Sequence, residues 1–186
     1  MILTQAEENY LKAILRLENL DSKNVSTTLI AKRLQTKASS VTDMLKKLSE
    51  KGLVNYQKYK GVTLSEKGKK TSTDIVRKHR LWEVFLVEKL NYAWDEVHDI
   101  AEQLEHIKSD SLTDRLDAFL GHPAYDPHGD PIPGKDGIIT PVNSELLFSI
   151  PENSSCIVKG VIDYSNDFLK FFNSLKIGLG ETIKVV

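Results

Sequence analysis

The stretch IAKRLQTKASSVTDMLKKLSEKGLV, residues 30–54, holds two short runs of helical periodicity separated by QTK. Ser26, Thr27 or Thr28 can cap a first helix ending near Leu34, and a second runs over about 38–51 until Gly52 stops it. Two short helices joined by so tight a turn form a helix-turn-helix. The following LVNYQKYKGVTLS alternates about Lys60 and Gly61, as a β-hairpin does. Helix-turn-helix plus hairpin predicts a winged helix. Ahead of it, Tyr10, Leu11, Ile14, Leu15 and Leu17 recur at helical spacing, which predicts an amphipathic first helix over residues 4–20.

The second helix of the pair presents Ser39, Ser40, Thr42 and Asp43 in its first turns, then Lys46 and Lys47. A helix entering the major groove offers its N-terminal residues to base edges, where short hydroxyls and a carboxylate are useful. Lys37, Lys46, Lys47 and the wing residues Lys58 and Lys60 suit phosphate contacts, and Thr27 opens the first helix of the pair. The competing reading makes Ser39 and Ser40 helix caps and Asp43 a partner of the helix dipole. Charge fits the DNA reading, with chance segregation of solvated charges as the alternative. Residues 1–70 carry 14 Lys and Arg against 7 Asp and Glu, whereas the remainder carries 11 against 19. A basic head on an acidic body suits a polyanion-binding module joined to a cation-binding one.

The chain of 186 residues is 40% apolar, enough for a real core. No apolar run is long enough to span a bilayer and no signal peptide is evident, so a cytoplasmic protein with no membrane partner is expected. The single cysteine, Cys156, excludes an intramolecular disulfide framework and multi-cysteine zinc motifs. Any metal must then be held mainly by nitrogen and oxygen. Beyond the wing, Ser65 can cap a long helix through Leu90, with Leu81, Trp82, Phe85 and Leu86 as apolar surface. Helices over 95–108 and 110–120 follow, and so much apolar helix beyond a DNA-binding module predicts a dimer interface. Residues 121–137, GHPAYDPHGDPIPGKDG, are too rich in Pro and Gly for a regular element. SSCIVKGVIDYS and ETIKVV read as strands around a helical NDFLKFFNSLKIG, a small β-rich module that ends mid-sheet. The expected organisation is a DNA-binding domain over 1–72, a helical domain over 73–122, a linker over 123–142 and the β module over 143–186.

In VHDIAEQLEHIKSD, residues 97–110, His98, Glu102, Glu105 and His106 fall at offsets that share one side of a helix, beside the apolar arc of Val97, Ile100, Ala101 and Leu104. Carboxylates at the edge of a dry face are costly unless paired or bound to a cation. His79 and Glu83, spaced i and i+4 on the preceding helix, can face the same cleft. Imidazole with carboxylate suits Mn, Fe, Co, Ni or Zn. A solvated polar edge is the alternative.

With ENYLKAILRLE, the helix-turn-helix above, VRKHRLWEVFL, VHDIAEQLEHIKSD and DPHGDPIPG, the chain resembles the iron- and manganese-dependent repressors related to the diphtheria toxin repressor and the manganese transport regulator. The resemblance implies a mainly α fold with small β elements: a winged helix, a helical dimerisation and metal-binding domain, and a C-terminal small β-barrel of the Src-homology type, here incomplete. It implies a homodimer, not an enzyme, that binds double-stranded operator DNA when loaded with two Mn(II) or Fe(II) ions per subunit and represses metal-uptake genes. His79, Glu83 and His98 then match one metal's ligands and Glu102, Glu105 and His106 the other's. Glu102 stands where iron-type members carry cysteine, which favours a harder ion such as Mn(II). On the first helix, Asn9 stands where the family has Asp or Met, and an amide oxygen is a poorer ligand than a carboxylate, so Asn9, its neighbour Glu8 or neither completes the site. Asp163 or Asp167 would be the ligand lent by the barrel. Two other readings compete: a winged-helix regulator sensing an organic effector, and a hydrolase with two carboxylate-bridged ions.

Overall fold

The computed structural model describes residues 2–20 and 24–186, in two compact units that divide between Val76 and Arg77. The first unit opens with α1 (Gln5–Leu20). Thr4 and Glu7 start this helix reciprocally: Glu7 N–H donates to the Thr4 hydroxyl at 3.2 Å and Thr4 N–H to the Glu7 carboxylate at 2.9 Å. Helix α2 (Thr27–Arg33) is capped by Ser26, whose Oγ accepts from Leu29 N–H. Helix α3 (Ala38–Glu50) follows with Lys37 at its cap position and no side-chain cap. Ser39 and Ser40 are therefore not caps, and both side chains are exposed.

Strands β1 (Val54–Gln57) and β2 (Gly61–Leu64) pair antiparallel, with Val54 opposite Leu64 and Gln57 opposite Gly61. Val25 exchanges both backbone hydrogen bonds with Val62 at 2.9 Å, adding a one-residue third rung. Leu11, Ile14, Ile30, Val41, Leu45, Leu48 and Leu53 are fully buried beneath the wing. This is the winged helix that the sequence predicts.

Helix α4 (Glu66–Leu90) runs across the boundary between the units. Ser65 Oγ accepts from Gly68 N–H at 3.0 Å. Gly68, an odd residue for a helix interior, has a steric cause: a Cβ there would lie 1.9 Å from the Leu53 carbonyl oxygen. The helix touches the loop entering the wing, and only glycine fits.

The second unit continues α4 and adds α5 (His98–Leu104) and α6 (Asp110–Phe119). Helix α5 is half as long as the predicted 95–108. Residues 93–96 form a turn, with Glu96 N–H donating to Ala93 O at 2.9 Å, and Ile107 N–H donates to Leu104 O in a tightened final turn. Leu86, Val97 and Ala101 make a small core, flanked by Trp82, Val87, Ile100 and Leu104.

Residues 121–137 contain no helix or strand, only the bridge Tyr125–Pro131, yet they pack inward. Asp126 Oδ1 accepts from the backbone N–H groups of His128 and Asp130 at 2.8 and 3.0 Å, which pins the turn. The C-terminal part holds β3 (Ser155–Ile157) antiparallel to β4 (Thr182–Lys184), with α7 (Asn166–Ser174) between them. The barrel expectation is not met: among the described residues these two short strands close no barrel. The segment expected to prolong the first strand, VKGVIDYS, leaves the sheet, and Val161 N–H donates to His128 O at 3.0 Å. At this crossing a Cβ on Gly129 would lie 2.0 Å from Lys159 O.

Candidate metal centre

Three imidazole nitrogens converge on one carboxylate oxygen. Glu83 Oε1, on the buried side of α4, lies 3.0 Å from His79 Nε2, 3.4 Å from His98 Nδ1 and 3.6 Å from His128 Nδ1. His79 sits one turn earlier on α4, His98 begins α5, and His128 comes from the strap after α6.

The other ring nitrogens fix the chemistry. His128 Nε2 lies 2.8 Å from the Trp94 carbonyl oxygen, which can only accept, so Nε2 carries a proton and Nδ1 turns towards Glu83. His79 Nδ1 lies 2.6 Å from Glu105 Oε2, so this proton is committed to Glu105 and Nε2 faces Glu83. Neutral rings would thus aim lone pairs at an anion, an arrangement that needs a proton or a cation among them. Imidazoles anchored through the second nitrogen to a carboxylate or carbonyl are the usual form of metal-binding histidine. The donor set fits a borderline divalent ion.

Among the described residues, two sets bring potential ligand atoms within 4.8 Å of one another: His79, Glu83 and His98, and Glu83, Asp126 and His128. Glu83 belongs to both. Its carboxyl is held well below the usual range: burial opposes ionisation, but hydrogen bonds to His128, His79 and His98 outweigh it. Asp126 behaves oppositely, pushed up to about 7 by burial and by the charges of Glu83 and Asp130, with Arg80 only partly offsetting them. The His128 ring is raised because Glu83 and Asp126 outweigh the effect of burial. Arg80 braces the strap, with Nε 3.3 Å from Asp126 and Nη2 2.7 Å from Asp130. Tyr164 donates to Asp130 at 2.8 Å and stacks at 6.2 Å from the His98 ring.

The expected ligands are distributed unevenly. His79, Glu83 and His98 come together. Glu105, fully buried at the end of α5, joins them through His79. Glu102 Oε1 is 3.8 Å from His98 Nε2, and His106 Nε2 is 3.9 Å from Glu105 Oε1. Asp163, exposed, accepts from Ser165 N–H at 2.9 Å, and Asp167 lies exposed in the first turn of α7. In the first unit, Glu8 is buried and Asn9 Oδ1 is buried without a hydrogen-bond partner. Asp126 and His128 are site residues that sequence reasoning does not find: in DPHGD the prolines and glycine read as loop, and only the resemblance of this stretch to the family points to them.

On the winged helix, Lys37, Ser39, Ser40, Asp43, Lys46, Lys47, Lys58 and Lys60 are exposed, while Thr27 and Thr42 are half-buried. Asp43 and Lys46 pair at 3.5 Å, and the Thr42 hydroxyl donates back to Ala38 O at 3.1 Å.

Comparison with known proteins agrees with both halves. The iron-dependent repressor N-terminal DNA-binding domain matches residues 2–62, and the iron-dependent repressor metal-binding and dimerisation domain matches residues 65–134. The iron-dependent repressor IdeR of Mycobacterium leprae is 33% identical over 183 residues, 94% of this chain and 79% of that protein. The chain belongs to the iron-dependent repressor family. Within this family, an HTH-type transcriptional regulator of Methanocaldococcus jannaschii is 39% identical over 118 residues, 63% of this chain and 94% of its own length. The chain spans 63% of the diphtheria toxin repressor of Corynebacterium jeikeium. A solved manganese-dependent transcriptional repressor in complex with manganese superposes with a TM-score of 0.88 at 39% identity, over 97% of this chain and 83% of that one. The DNA-binding family model thus falls within the basic first unit, and the residues matched by the metal-binding and dimerisation model include Glu83. No helix among the described residues is long and apolar enough to cross a membrane.

Proposed function

We propose that this repressor is a homodimer that binds operator DNA when loaded with Mn(II) or Fe(II), two ions per subunit, and controls metal-uptake genes. The observation that carries the reading is the convergence of His79, His98 and His128 on Glu83 Oε1 in a chain whose other unit is a basic winged helix. His79, Glu83, His98, Asp126 and His128 would hold one ion. Glu102, Glu105 and His106, with one of Asp163 and Asp167 as a further candidate, would supply ligands for the other. The manganese in the solved relative and the oxygen donor Glu102 both favour Mn(II). A bound divalent ion supplies positive charge among carboxylates that otherwise repel one another or stay protonated.

Hydrogen bonds within the second unit hold the first site's ligands in place. Glu105 orients His79, Trp94 O orients His128, and Arg80 holds Asp126 and Asp130 in place, so the ligands are assembled in advance. A ligand shifts a conformational equilibrium only by its differential affinity for the two states, so metal must bind the DNA-competent state more tightly, and DNA must tighten metal binding by the same factor. For dimerisation, Trp82, Phe85 and the 65%-exposed Phe119 form an aromatic cluster on the second unit. DNA contacts fall to Ser39, Ser40, Thr42 and Asp43 at base edges and to Lys37, Lys46, Lys47, Lys58 and Lys60 at phosphates, with Thr27 beside them.

The test is selection of a duplex from a random pool by the Mn(II)-loaded protein, followed by titration with and without Mn(II) or Fe(II). Tighter binding with metal is the expected result. Equal affinity in both conditions would overturn the reading.

A further inference from the structure

The wing tip carries a residue that the turn does not favour. Lys60 N–H donates to Gln57 O at 3.0 Å, closing the turn, and Tyr59 occupies its third position with φ 66°. That position in a left-handed turn normally takes Gly or Asn, because a bulky side chain clashes with its own backbone. The fold returns little to the Tyr59 ring: it is 92% exposed, with the Lys58 ammonium 5.0 Å from the ring centroid. A strained backbone that displays an aromatic ring to solvent points to a use outside the chain. Lys58, Tyr59 and Lys60 are consecutive, all exposed, and belong to the unit with the recognition helix.

We propose that Tyr59 is a direct contact to duplex DNA, its ring packing against the sugars that line the minor groove beside each half-site. This rests on the reading of the protein as an operator-binding repressor. The minor groove, about 6 Å wide, admits the edge of an aromatic ring but not a helix. Its sugar walls offer C–H surface to the ring, while the two flanking ammonium groups reach phosphates on either side.

The test uses the full chain with Mn(II) and a duplex selected by the wild-type protein from a random-sequence pool. Tyr59→Gly relieves the backbone strain, so Tm is expected to hold or rise. Affinity is expected to fall about three- to tenfold, the scale of one aromatic contact. Because Tyr59 is uncharged, the dependence of affinity on salt should keep its slope, whereas Lys58→Ala should lower that slope by about one. Hydroxyl-radical footprinting should show the flanking sugars losing protection in Tyr59→Gly and regaining it in Tyr59→Trp. Wild-type affinity and footprint in Tyr59→Gly, with the wild-type protein still binding in a metal-dependent way, would overturn this inference alone. Failure of the wild-type protein to bind any duplex would overturn the repressor reading and this contact with it.

Discussion

Glu105 Oε2 lies 2.6 Å from His79 Nδ1, linking the end of α5 to the middle of α4 through a fully buried carboxylate. The bond fixes which nitrogen of His79 faces Glu83. Loss of a partner that orients a metal-binding histidine typically lowers affinity 10- to 100-fold. Glu105→Ala should weaken Mn(II) binding by about that factor with the helical content intact. Isothermal titration together with circular dichroism checks this, and wild-type affinity would remove Glu105 from the centre.

Metal uptake should be steeply dependent on pH. With Asp126 pushed up to about 7 and the His128 ring raised, both groups carry protons in metal-free protein at slightly acid pH. Binding must release those protons, so Mn(II) affinity should rise between about pH 6 and 8 and proton release should be larger at pH 6. Titrations in buffers of different ionisation enthalpy measure the release. A flat profile would contradict the assignment.

The same group shapes metal-free stability. Asp126, at about 7 in the folded chain, lies above the ordinary unfolded value of about 3.9, so the folded state keeps a proton that the unfolded state loses. Its contribution is complete below about pH 4 and is lost as pH rises to about 7. Asp126→Asn cannot titrate and should show a flatter fall in stability across that window. Denaturant unfolding at a series of pH values in chelator makes the comparison.

Helix α4 is legible in the sequence nearly to the residue because its signals are local: Ser65 as cap and the apolar period. Helix α5 is shorter than its sequence pattern suggests. The apolar arc from Val97 to Ile107 continues the period, but buried Asp95 takes a hydrogen bond from Asn173, far away in sequence, and no local pattern announces that. His79 and Glu83 showed in the i, i+4 spacing, whereas Asp126 and His128 sit where Pro and Gly hide any period; their burial comes from contacts with Trp94, Arg80 and the segment around Val161. Gly68 looked like a weakness in a helix until Leu53 was placed against it.

Gly68→Ala is therefore a sharp stability test. On helix propensity alone alanine should gain about 1 kcal/mol. The 1.9 Å approach of a Cβ to Leu53 O predicts a net loss instead, on the order of 2 kcal/mol or more. Thermal unfolding of the full chain decides the sign.

The lysines of α3 should act on affinity rather than on sequence choice. Lys46→Ala and Lys47→Ala should each weaken binding to selected and random duplexes alike and lower the salt slope by about one. Salt titrations of each variant against both duplexes test this; a change in sequence preference would move the residue to the base edges.

Trp94 gives the metal centre an optical reporter. Its indole stacks 6.1 Å from the His128 ring at 21°, and its own carbonyl holds that ring's Nε2–H. Any change of charge on His128 takes place beneath this indole, while Trp82 packs edge-on against Phe85 5.7 Å away. Emission from the two indoles therefore divides into a component that follows His128 and one that follows the aromatic cluster, and replacing either tryptophan by phenylalanine separates them without an added dye.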